Sequence, residues 1–86
     1  MMQDFYFTFG SDPEFPYGWN DYVQIRCANK GEACRLFNAV FPKRPGSGRM
    51  NCAFMYSKLE WERGVKAHYA GREPAALIVV NRAENW

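Results

Sequence analysis

Eighty-six residues, 48% hydrophobic and 17% aromatic, make one globular domain and exclude an intrinsically disordered chain. The formal net charge of +2 falls short of the basic stripe of a committed nucleic-acid binder. Its distribution is uneven: residues 1–41 carry three Lys/Arg against five Asp/Glu, and residues 42–86 carry eight against four.

Taken in chain order, Asp4 to Phe9 reads as a first strand. Phe5, Phe7 and Phe9 share one face and Tyr6 and Thr8 the other, so the phenylalanine face calls for burial. Residues 10–20, GSDPEFPYGWN, are rich in breakers and form a long connection. Three large aromatics sit in it, Phe15, Tyr17 and Trp19. They either fold back on the sheet edge or face solvent as anchors for a partner, because Tyr and Trp dominate binding hot spots.

Tyr22 to Cys27 alternates with period two and reads as the second strand. Asn29 is placed as the N-cap of a helix, with Glu32 three residues on as its capping-box partner. Ala33, Leu36, Phe37, Val40 and Phe41 then form one apolar stripe at helical spacing. Pro42 disfavours helical geometry at Phe41 and ends the element. The stripe is expected to lie on the phenylalanine side of the first strand.

The loop KRPGSGR at 43–49 is glycine-rich and basic through Lys43, Arg44 and Arg49. It is not a phosphate loop: it lacks the GxxxxGK[ST] spacing and follows a helix instead of opening one. It reads as a solvated linker or as a contact for an acidic face or phosphates. Asn51 to Tyr56 is the third strand, apolar on both faces and therefore expected inside the sheet. Ser57 and Glu60 fit a capping box that opens a second helix. Trp61, Val65 and Tyr69 give it a thin apolar stripe, and Gly64 interrupts it. Ala75 to Val80 is a continuous apolar run, expected as a last strand central in the sheet or covered on both faces.

The order is β-β-α-β-α-β. The expected fold is α+β, a single domain over residues 1–86. A four-stranded, mainly antiparallel sheet carries the 30–41 helix on one face, with the second helix at an edge or end.

Residues of catalytic type are few. Cys52 and His68 could in principle pair as thiol and imidazole, but no spacing supports it. Cys27, Cys34, Cys52 and His68 are zinc-ligand types, yet the C-x6-C spacing fits no familiar module. Three cysteines without a CxxC pair read as free, buried thiols. No enzyme activity, metal or cofactor is expected. No apolar run nears the roughly 18 residues that span a bilayer. The N-terminal MMQDFYF lacks the basic and apolar regions of a signal peptide, so the cytoplasm is the expected compartment.

Over FYFTFGSDPEFPYGWNDYVQIRCANKGEACRLFNAVFP, and again at Asn51–Tyr56, the chain resembles small proteins of bacteriophages, prophages and mobile elements. These open with an F-Y-F-T-F-G-like strand and continue with a helix of the A-x-x-L-F-x-x-x-F kind. The similarity covers roughly the first 60 residues and carries no reaction. It implies a bacterial host cell as the setting. It also implies a non-enzymatic binding role, of which inhibition of a host defence complex, as by anti-CRISPR proteins, is one form. The mildly basic charge argues against mimicry of DNA.

The expected partner is a host protein or ribonucleoprotein complex, met by Phe15, Tyr17, Trp19, Lys43, Arg44 and Arg49. Nucleic acid is the alternative partner, through the basic loop with Lys58, Arg63, Lys66 and Arg72. A homodimer is a further expectation, should the 75–80 strand lie at an edge.

Overall fold

The computed structural model describes residues 2–10, 21–43, 45–46 and 48–80. Its elements run β1 (Gln3–Thr8), β2 (Tyr22–Cys27), α1 (Lys30–Val40), β3 (Phe54–Ser57), a helical segment in three pieces, and β4 (Ala76–Val79). The three pieces are an α-turn at Lys58–Glu60, a π-helical turn at Trp61–Val65 and a 3-10 turn at Lys66–Tyr69. The sheet order is β3-β1-β2-β4. β1 pairs antiparallel with both β2 and β3, and β4 pairs parallel with β2.

The register assigns each side chain to a face. Phe5 and Phe7 of β1 share a face with Val23, Ile25 and Cys27, Phe9 just beyond the strand joins the same core, and α1 covers it. Phe7, Phe9, Phe37, Ile25, Val23 and Cys27 are the largest fully buried side chains. The Phe7 and Phe37 rings stack at 4.4 Å, 15° from parallel. Burying each such ring is worth roughly 1.5–3 kcal/mol. The α1 stripe thus sits where the sequence places it, with one exception. Val40 is 52% exposed, while Phe41 beside it packs against Phe9 and Phe37.

The caps follow the sequence closely. The Glu32 N–H donates to the Asn29 side chain at 2.8 Å. The Glu32 carboxylate accepts from the Ala28 N–H at 2.8 Å, one residue earlier than a strict capping box. That reach buries Glu32 at the helix start. At the other end Phe41 leaves helical geometry (φ −123°, ψ 79°), as Pro42 requires. Before β3, the Ala53 N–H donates to the Thr8 carbonyl at 2.8 Å. Gly10 turns there at φ +63°, where a Cβ would stand 3.2 Å from Ala53 Cβ.

Three expectations change. The second helix does not lie at an edge or end. Trp61, Val65 and Tyr69 lie against Tyr6, Tyr22 and Tyr56 on the face opposite α1. The sheet is therefore covered on both sides, and β1 is buried almost throughout. The third strand is not interior: β3 is one edge, it begins only at Phe54, and Phe54 is 61% exposed. Cys52 lies before the strand and packs with the α1-side core, so it does not share the face of Phe54 and Tyr56. The last strand is not central either: β4 is the opposite edge, exposing Leu77 and Val79. The physical reason is common to both. An apolar run reports only that side chains avoid water, and each edge strand buries one row while presenting the other. Among the described residues, no helix is long and apolar enough to cross a membrane.

Candidate functional site

On the face opposite α1 the 58–69 segment forms a ridge over the centre of the sheet. The capping box fixes where it starts: the Ser57 side chain accepts from the Glu60 N–H at 3.3 Å and the Glu60 side chain from the Ser57 N–H at 2.9 Å. Trp61, 3% exposed, anchors it by stacking on Tyr6 at 4.4 Å. Tyr69 stacks on Trp61 at 5.2 Å and meets Tyr22 edge-on at 5.3 Å. The Tyr22 hydroxyl then donates to the Arg72 carbonyl at 3.1 Å, which ties the turn before β4 to the sheet.

The ridge leaves a different surface on each side. Towards β3 lies a cleft of about 310 Å³, lined by Thr8, Phe54, Tyr56, Gly64, His68 and Tyr69 among others. Burial pushes the Tyr69 phenol above its ordinary pKa, opposed in part by its hydrogen bond with the Thr8 side chain. Tyr69 therefore keeps its proton at neutral pH and can donate.

Towards β4 lies the other edge of the sheet. Its register places Ala76 beside Val23 and Ile78 beside Ile25, on the α1 side, with Leu77 beside Gln24 and Val79 beside Arg26 on the other. Leu77 is 56% and Val79 51% exposed. The Val80 N–H donates to the Arg26 carbonyl at 2.9 Å, which sets the phase of the ladder. Alternation then turns the N–H and C=O groups of Leu77 and Val79 away from β2. Among the described residues no strand pairs with this outer edge.

Between the two surfaces, Asp4 accepts from Arg26 Nε at 2.8 Å and from Gln24 at 3.2 Å. Burial alone raises the Asp4 pKa, but the hydrogen bonds from Arg26 and Gln24 outweigh it and hold the carboxyl below its ordinary value.

Phe15, Tyr17, Trp19 and Arg44 lie outside the described residues. Lys43 and Arg49 are exposed on the loop after α1. Of the further basic candidates, Lys66 pairs with Glu62 at 3.2 Å, Arg72 approaches Asp21 at 3.8 Å, and Lys58 and Arg63 are exposed. The structure does not bring Cys52 and His68 together: Cys52 packs with the α1-side core, and His68 lines the cleft on the opposite face. Burial and the neighbouring Cys34 push the Cys52 thiol up to about 11. Among the described residues, no three His, Cys, Asp or Glu side chains are grouped so as to hold a metal ion.

Sequence reasoning missed the cleft, and offered the 75–80 strand as a pairing surface only on the condition that it lay at an edge. The cleft had a signal, since Phe54 and Tyr56 alternate onto one face just before the Trp61–Val65–Tyr69 stripe. That the 75–80 strand lies at an edge had no signal, because strand order is not written in an apolar run.

No family model, curated protein or solved structure matches the chain. The functional reading therefore rests on the geometry above.

Proposed function

We propose that this chain is a non-enzymatic binding protein that captures a protein partner by strand addition at the outer edge of β4. The observation that carries the reading is the combination at Leu77 and Val79: exposed apolar side chains on a strand whose outer backbone groups have, among the described residues, no strand beside them. An extended peptide laid there would gain main-chain hydrogen bonds from the edge and side-chain contacts from Leu77 and Val79. The strand bears no charge, proline or bulge of the kind that blunts an edge against pairing.

The resemblance to phage and mobile-element proteins supports the cytoplasm of a bacterial host as the setting and a host defence complex as the partner. Phe15, Tyr17, Trp19, Lys43, Arg44 and Arg49 remain proposed as further side-chain contacts with the partner.

The experiment is affinity capture from a bacterial host with identification by mass spectrometry, run in parallel on the native chain and on Leu77→Lys/Val79→Lys. The charges prevent pairing at the edge without entering the core. A host protein held by the native chain and lost from the variant is expected; the same proteins held by both would remove the edge from the interface. A second copy of the chain is the competing occupant. Sedimentation at two protein concentrations distinguishes it, since a dimer abolished by the same lysines would assign the edge to self-association.

A further inference from the structure

We infer that the cleft between β3 and the helical ridge is a nucleobase site, separate from the β4 edge on the other side of the ridge. Three features point to it. The first is size and lining. About 310 Å³ lies at the lower end of the range for small-ligand sites, roughly 300–1,000 Å³. Rings of Phe54, Tyr56 and Tyr69 and the imidazole of His68 supply flat apolar walls. The second is Gly64. Glycine is among the costliest residues in a helix, and a Cβ there would meet nothing within 4 Å. Packing within the chain therefore gives no reason for it, whereas a ligand seated against the ridge does. The third is the π-helical turn Trp61–Val65, which contains Gly64 and places it on the cleft wall. Such turns are rare and concentrate at functional sites.

The lining specifies the ligand. An aliphatic group would leave the Tyr56 hydroxyl and the His68 imidazole unmatched in the cleft, while the Thr8 and Tyr69 side chains bond each other. Hydroxyls both donate and accept, and the imidazole presents two ring nitrogens, which matches the mixed edge of a heteroaromatic base. Stacking on aromatic walls is indifferent to which base is bound. No Asp or Glu is found among the described lining residues; Arg63 and Lys66 flank Gly64 and Val65 along the ridge, with Lys66 paired to Glu62 at 3.2 Å. The local charge thus accommodates a phosphate attached to the base. A free nucleotide and a nucleotide within a single strand share this chemistry.

The test follows the aromatic proton resonances of His68, Tyr56 and Tyr69 by NMR during titration with adenosine 5′-monophosphate. N-acetyltryptophanamide is titrated separately as a mimic of a protein side chain. Saturable shifts with the nucleotide are expected, with affinity at least tenfold weaker for the amide. Gly64→Leu adds a side chain at the cleft wall where a Cβ would meet nothing, and should weaken nucleotide binding at least tenfold without lowering the melting temperature. Phe54→Ala removes an exposed wall and should weaken it too. A single-stranded RNA oligomer forms the last arm: tighter, salt-dependent binding assigns the base to a strand, and affinity equal to the mononucleotide assigns it to a free nucleotide. No saturable shift, equal or tighter binding of the amide, or undiminished binding by Gly64→Leu would overturn the assignment.

Discussion

The Tyr6 ring lies flat on the Trp61 indole, with centroids 4.4 Å apart and planes 4° from parallel. Its neighbour in β1, Phe7, makes the corresponding stack with Phe37 on the other side of the sheet. Two successive residues of one strand thus hold the two layers that cover it. Trp61→Ala should cost about 3–5 kcal/mol, the usual range for a buried tryptophan and the same as for Phe37→Ala. Urea denaturation of both variants checks this. A loss near 1 kcal/mol for Trp61→Ala, with the full loss for Phe37→Ala, would make the 58–69 segment a loosely held lid and not a structural layer.

Much of this arrangement was readable in the sequence. Period-two alternation located β1 and β2 to within a residue, and the Asn29 and Ser57 caps marked both helix starts, because these signals are local. The placement of the Trp61–Val65–Tyr69 stripe was not readable. A stripe says that a face is buried but not which surface buries it, and Tyr6, Tyr22 and Tyr56 carry hydroxyls that suit a solvent face equally well. Strand order failed for a related reason. AALIVV looks central when counted by hydropathy, yet the parallel pairing with β2 leaves Leu77 and Val79 outside.

Asp4 links the sheet to acid stability. Its folded pKa lies below the unfolded value of about 3.9. The stabilisation is therefore present above the unfolded value and is lost as pH falls through the folded one. Asp4→Asn should flatten the acid limb of the melting-temperature profile below about pH 4, and lower the melting temperature at neutral pH, where Arg26 loses its partner. Because Arg26 is half exposed, solvent screening keeps this neutral-pH loss small. An unchanged acid limb would show that other carboxylates control it.

Cys52 should be chemically quiet. With its thiol pKa raised to about 11 by burial and by Cys34, almost no thiolate exists at neutral pH. Alkylation by iodoacetamide followed by peptide mass analysis should leave Cys52 unmodified at pH 7 and begin to label it only above pH 9. The linkage has the matching sign: between about 9 and 11 the unfolded thiol ionises while the folded one does not, so the folded state loses stability as pH rises through that window. Rapid labelling at pH 7 in the native protein would contradict this environment.

The two parts of the proposed protein interface can be separated by mutation. Replacing Phe15, Tyr17 and Trp19 together by alanine removes the aromatic anchors of the first loop and leaves the β4 edge intact. Hot-spot aromatics typically cost 2 kcal/mol or more when truncated. Against a partner identified by capture, the triple variant should therefore bind at least about thirtyfold more weakly, with unchanged far-ultraviolet circular dichroism. Leu77→Lys/Val79→Lys should abolish binding outright, because it removes the main-chain pairing on which the anchors depend. Loss of binding in the edge variant with full affinity in the loop variant would confine the interface to β4. The reverse result would move it to the aromatic loop and leave the open edge of the sheet without a partner.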